Sequence, residues 1–378
     1  MTTSPPTTPA TSAVTSVASA ALSIGSSIGR YFNLTSAIPA LLLVAWSYAL
    51  LASGAATGRP ELSLLADAFS FSPEKLTGLV LATIFVGLFI HPLQFGTTRL
   101  LEGYWGRTTL ALGTSAVRIN QYRQRKRRLI DRALLHEQRL FTLTAEAIPD
   151  TPDPNEVGLA AWRKAMLDDA TLLLQTKEGD KLIFDMMGKQ EALRKSSEYP
   201  NDDRIMPTLL GNALRTFEDS AGRQYGLDTI LTAPHFVLVS DPRHVEYVED
   251  GRQAMDVSIR LCLISLLATT EAIALLLTDG PWLLVALVPY LLAYLAYRGA
   301  VSAAREYGVA LSTMIDLNRF ALYEAMQLWR PTDLRSEVQQ NRKMKDLLES
   351  KPVTINYRPD APGAALPNPL RSKGSGRR

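Results

Sequence analysis

Apolar residues in this chain gather into four long blocks, and the stretches between them are dense in charge. The first block runs from about Ile38 to Ala56 (IPALLLVAWSYALLASGAA), with Pro39 in its first turn, where a missing amide hydrogen does little harm. The second opens at Leu76 with LTGLVLATIFVGLFI and meets His91-Pro92, where the proline frees the carbonyl four residues earlier and predicts a kink. The third covers Leu261 to Leu277 and the fourth Trp282 to Tyr297, joined by a tight TDGP turn. Each block predicts one bilayer crossing, because about 20 residues of helix span the hydrocarbon.

Charge at the block ends orients them. The connection from Gly58 to Lys75 offers only Arg59 and Lys75 as cations, and TDGP offers none. The second block instead continues through LQFGTTRLLEGYWG toward RQRKRR, and Arg298 and Arg305 follow the fourth. By the positive-inside rule, both termini and the large segment between the second and third blocks lie in the cytoplasm. Tyr104 and Trp105 fall where amphipathic rings favour the headgroup layer, and Glu102 beside them is an interface anchor within reach of Arg99 or Arg107.

The cytosolic stretches carry helical periodicity. A long helix is expected from Thr108 to about Ile148, with Leu129, Ala133, Leu140 and Thr144 near one face, until PDTPDPNE stops it. A second follows through LAAWRKAMLDDATLLLQ, and a third covers Lys181 to Ser196 after the Gly179-Asp180 break. Farther on, Pro207 fits a helix first turn and Gly226 a helix end. APHFVLVSDPRHVEYVED reads as a loop packed on the helices or the membrane surface, with a short strand over Phe236 to Ser240 as the alternative. Val301 to Trp329 is expected to be a helix with Leu311, Ile315, Leu322 and Met326 on one stripe, and Asp333 to Ser350 a charged helix. The resulting plan is a disordered tail (1–36), a transmembrane hairpin (37–107), a cytosolic helical domain (108–256), a second hairpin (257–300), C-terminal helices (301–350) and a second disordered tail (351–378).

Composition adds bounds. The 378 residues are 47% hydrophobic and 20% charged, so a near-average chain conceals concentrated apolar blocks. A net charge of +3 is too small to argue for nucleic acid. The single cysteine, Cys262, excludes an intrachain disulfide and reads as a small buried hydrophobe.

Candidate chemistry is sparse. Glu271 lies within the third block, where an ionisable group costs several kcal/mol unless it meets a partner or water. It is read as an ion-coordinating or proton-accepting carboxylate, helped by Thr269 and Thr270, or as a residue near the outer interface that reaches water. His91 and Pro92 form a candidate gating hinge, with plain packing support as the alternative. Arg123, Arg125, Lys126, Arg127 and Arg128 either bind anionic lipid or only enforce topology. No metal or cofactor is expected: His235, Asp241 and His244 fit no ligand spacing, HEQRL lacks the second histidine of H-E-x-x-H, and GSSIG follows no strand.

HPLQFGTTRLLEGYWG, IMPTLLGNALRTFEDSAGRQYGLD and YRGAVSAAREYG resemble segments of a family of uncharacterised multi-span bacterial membrane proteins. The resemblance implies a polytopic membrane protein and no activity. The chain is thus expected to be an all-α, four-span protein of the cytoplasmic membrane and a homo-oligomer. Its expected function is channel-like, with an ion pathway along the third and second spans. The alternative is a membrane-anchored scaffold whose central helices recruit a cytosolic protein, and an enzyme ranks third because no nucleophile and base share a span.

Overall fold

A computed structural model describes residues 37–56, 58, 60–61, 72–90, 92–148, 157–174 and 179–358. Among the described residues the protein is all-helical, 81% helix with no strand. The expected tail at 1–36, His91, and all of the expected 351–378 tail beyond Arg358 lie outside these residues. The described start of that second tail is instead held, Tyr357 bridging to Leu328 and the Arg358 amide donating to the Gln327 carbonyl.

The first apolar block forms α1 (Ala37–Ala52), and the second forms α2 (Pro73–Ile90), which packs on α1. Pro92 adopts φ −67° and ψ −23° and leads directly into a separate helix, α3 (Leu93–Glu102). The expected kink is therefore a junction between two helices. Gly103, at φ +106°, ends α3 in the left-handed conformation that a side chain would resist.

The long helical pattern after Thr108 becomes α4 (Thr109–Ala147), whose N-cap Thr108 accepts the amide hydrogen of Ala111. Leu129, Ala133, Leu140 and Thr144 are all buried on one side. That side packs against α5 (Leu159–Leu173) and α6 (Gly179–Ser197), which gives a helical hairpin with a third helix across it. Next come α7 (Leu209–Ser220), a 3-10 turn at Arg223–Tyr225, and α8 (Thr229–Val239).

α8 overturns the expected loop or strand. Asp228 caps it by accepting from the Leu231 amide, and Pro234 sits inside it. The proline deprives only the Ile230 carbonyl of its partner, and Ile230 is 58% exposed, so water can satisfy that group. Two further boundaries also fall away. The third block is the C-terminal half of one helix, α9 (Pro242–Leu276), and the fourth is continuous with the following helix as α10 (Leu287–Ala325), entered through a 3-10 turn at Gly280–Ala286. The charged stretch near the end forms α11 (Leu334–Leu348), opened by a capping box between Asp333 and Ser336.

Three segments are long and apolar enough to cross a membrane: Pro73–Ile90, Pro242–Leu276 and Gly280–Ala325. α1 is apolar but shorter, at 16 residues. Only 11% of the apolar window of α2 is buried, so most of that helix needs a non-aqueous surrounding.

The chain divides into two compact units, and the division cuts through the stretch expected as one cytosolic domain. One unit contains the described residues up to Phe217 together with Asp250–Tyr307. Its cores include Leu210, Ala213, Ile259, Ala300 and Ala304 in one place, and Leu50, Ala272, Leu276 and Ala286 in another. The second unit contains Glu218–Glu249 and the described residues from Gly308 onward. There Phe236, Met314, Ile315, Leu322 and Met344 are fully enclosed. Tyr323 donates to Asn341 at 2.7 Å, Asn341 donates to the Tyr225 carbonyl at 2.7 Å, and Lys345 pairs with Asp228 at 2.8 Å.

Candidate functional site

Residues of the stretches around 91–106, 205–217 and 297–307 lie far apart in sequence, yet they meet in the first unit. At the end of α3 the Glu102 carbonyl accepts the Thr208 hydroxyl at 2.8 Å, and Gly103 rests against the ring of Pro207. Gly211 lies so close that a Cβ there would stand 2.1 Å from the same carbonyl. Asn212 holds the approach to α7 by accepting the Met206 amide hydrogen and donating to the carbonyls of Met206 and Thr208. From α10, the Tyr297 hydroxyl accepts from the amides of Leu209 and Leu210, so it takes two of the amides that a helix start leaves open. Phe217 and Tyr307 close the far side edge to face, with ring centroids 5.4 Å apart.

The anchor residues join this junction. Tyr104 is bonded through its hydroxyl to Arg215, its ring lies under Arg99, and the Trp105 indole donates to the Leu100 carbonyl at 2.9 Å. One contributor is missing from the sequence reading. Arg260, only 9% exposed, donates to the Gln94 side chain of α3. The depth of the arginine in its helix was readable, but no spacing rule points from 260 to 94.

Glu271 has a neighbour on another helix. Ser47 of α1 donates to its carboxylate at 2.7 Å, tying α1 to α9 across 224 positions of sequence. Thr269 and Thr270 donate instead to the carbonyls of Ser265 and Leu266 on their own helix. Near the same pair of helices lies an almost wholly apolar cavity of about 200 Å³, lined by residues that include Trp46, Leu50, Leu276 and Trp282. Such a lining suits hydrocarbon better than an ion. Pro92 serves as the residue that leads into α3.

The polybasic run is partly committed. Arg123 donates to the Asp202 carbonyl, and Lys126 donates to the Pro200 carbonyl and pairs with the Asp202 carboxylate at 2.8 Å. Those contacts hold the Asp202 carboxyl below the ordinary range, chiefly through the Lys126 hydrogen bond. Arg125, Arg127 and Arg128 are exposed.

No family model, curated protein or solved structure matches this chain. The site must be read from its own atoms. A buried polar cluster sits in the hairpin, where Glu137 of α4 accepts Arg163 of α5 and, at 2.8 Å, Lys189 of α6. Burial pushes the Glu137 carboxyl up, but hydrogen bonds and charge from the two cations outweigh it, so the net shift is downward. One residue away, His136 meets the buried Asp185 at 2.7 Å, with Phe184 edge-on to the imidazole at 6.1 Å. The cluster offers ion pairs that lock three helices together. Among the described residues no group of three or more His, Cys, Asp and Glu side chains is placed to hold a metal.

Proposed function

We propose that this chain is a four-span, homo-oligomeric protein of the cytoplasmic membrane, with both termini and the 108–256 segment in the cytosol. In this reading it works as a membrane-anchored scaffold, and its α4–α6 hairpin recruits a cytosolic protein. The observation that carries the reading is the outward side of α6. Phe184 and Met187 are 67% and 64% exposed there, next to Ile183 at 41%. They stand beside His136, about 40 Å along α4 from its start at 1.5 Å per residue. A cluster of large apolar side chains on a water-facing hairpin gains free energy when a partner covers it, at about 25 cal/mol per Å². The junction supports the same reading, because the residues behind the family resemblance weld helices together instead of lining a path.

The test places a photo-crosslinking amino acid at position 187 in cells. Crosslinks to a cytosolic protein that disappear with Phe184→Glu support the scaffold. Products containing only a second copy of this chain, or none in cells where the protein is abundant and membrane-bound, refute it.

A channel-like assembly is the second reading, and the Ser47–Glu271 hydrogen bond favours it. A carboxylate held between two apolar helices by a single hydroxyl retains acceptor capacity for an ion or a proton.

A further inference from the structure

We infer that one face of α4 lies along a membrane surface and binds the phosphates of anionic phospholipids. Of the contiguous basic run seen in the sequence only Arg125 and Arg128 belong to this face, and Arg132 and Arg139 join them from beyond it. At 100° per residue, Leu110, Val117, Arg125, Arg128, Arg132 and Arg139 fall along one side of the helix, and all six are exposed. Among the described residues, none of these four arginines makes an ion pair or a hydrogen bond, whereas Arg123 and Lys126 are held by the turn at Asp202. Four guanidinium groups are thus presented together over the 15 residues from Arg125 to Arg139 of one helix, a rise of about 21 Å.

The order of residues along this face identifies the partner. Leu110 and Val117, in the first turns, are 84% and 58% exposed, the cations begin only after them, and Leu135, at 46%, is the one large apolar side chain among those cations on this face. A helix that leaves the acyl boundary and runs out over the phosphates needs that gradient, with apolar side chains first and arginines next. Arginine suits the second role because its planar fork matches phosphate oxygens. A second copy is disfavoured, since two such faces would set like charges against each other. Leu110 lies eight positions beyond Glu102, the last residue of α3, so the chain emerges at the surface this face requires. The inference rests on the membrane reading proposed above.

The full chain, carrying Leu135→Cys between Arg132 and Arg139, is labelled with an environment-sensitive fluorophore. It is placed in nanodiscs of phosphatidylcholine, alone or doped with phosphatidylglycerol. Native Cys262 is 3% exposed and stays unlabelled in the folded protein. The expected result is protection of the label from acrylamide quenching in the anionic discs only, reversed by high salt. Each arginine is expected to contribute about five-fold to the partition at low salt. Changing Arg125, Arg128, Arg132 and Arg139 together to Gln should abolish the protection, while Arg123→Gln with Arg127→Gln should largely keep it. Equal quenching in both discs, or protection that survives the four-fold change, overturns the inference. Protection by added poly-glutamate but not by phosphatidylglycerol overturns it in favour of an acidic protein. Alkaline extraction of native membranes is run in parallel: a chain released there sinks the membrane reading, and a retained chain without lipid-dependent protection sinks this inference alone.

Discussion

Gly211→Ala tests the junction most directly, because two effects of opposite sign meet at that position. The residue lies inside α7, where alanine is the better helix former by about 1 kcal/mol. Against that gain, the new Cβ would lie 2.1 Å from the Glu102 carbonyl oxygen and 2.9 Å from the Met206 Cβ. Ordinary contact begins near 3.4 Å, so α7 and the end of α3 must part by about 1.3 Å, the difference of the two distances. Overpacking of this kind costs about 1–3 kcal/mol, and losing the Thr208 to Glu102 hydrogen bond adds about 1 kcal/mol. The net expectation is a loss of about 1–3 kcal/mol. Far-ultraviolet circular dichroism of purified protein in detergent should report it as a lowered melting temperature. Gly299→Ala is the control, since the nearest atom to its Cβ would be the Ser258 hydroxyl at 3.5 Å. A Gly211→Ala protein that melts at or above the wild type would refute the close approach, and with it the junction as described.

Other outcomes follow from the polar clusters. Glu137→Gln should weaken the hairpin by about 2–3 kcal/mol, less than a fully enclosed pair would lose, because Arg163 is 45% exposed and can rehydrate. The Glu137 carboxyl is depressed in the folded state, so its contribution is complete above the ordinary carboxylate pKa of about 4.3 and fades as pH falls through the lower folded value. Limited proteolysis of the hairpin across an acid series should show that fading in the wild type and a flatter profile in Glu137→Gln, and identical profiles would count against the ion-pair lock. For the channel reading, Glu271→Gln should change conductance or ion selectivity in planar bilayers while expression and assembly persist. Currents indistinguishable from wild type would remove that residue from any pathway.

Helices announced by local chemistry were legible in the sequence. Thr108 and the Gly179-Asp180 break set the ends of α4 and α6, and the apolar period of α4 named its buried face. α8 was hidden because Pro234 reads as a helix breaker, and only the exposure of Ile230 shows why it is tolerated. α9 and α10 were cut short because a change from apolar to charged composition resembles a boundary, although the backbone hydrogen bonds run on unchanged. The candidate site was the least legible part. Glu271 stood out for its depth in an apolar block, but its partner Ser47 is an ordinary serine in a different block. The Glu102–Thr208 contact is likewise set by three-dimensional packing across 106 positions.

That contact has a topological consequence. The chain leaves α3 at Gly103 and returns to the same spot at Pro207, so the roughly hundred residues between are an excursion whose two ends are pinned together. Pinned ends make length inexpensive: once a loop is closed, doubling it costs only about 0.6 kcal/mol of further chain entropy. The helices outside the excursion and the excursion itself can therefore diverge at different rates. A shorter, longer or foreign helical insert could be grafted between 103 and 207 while the helices that receive it keep their packing.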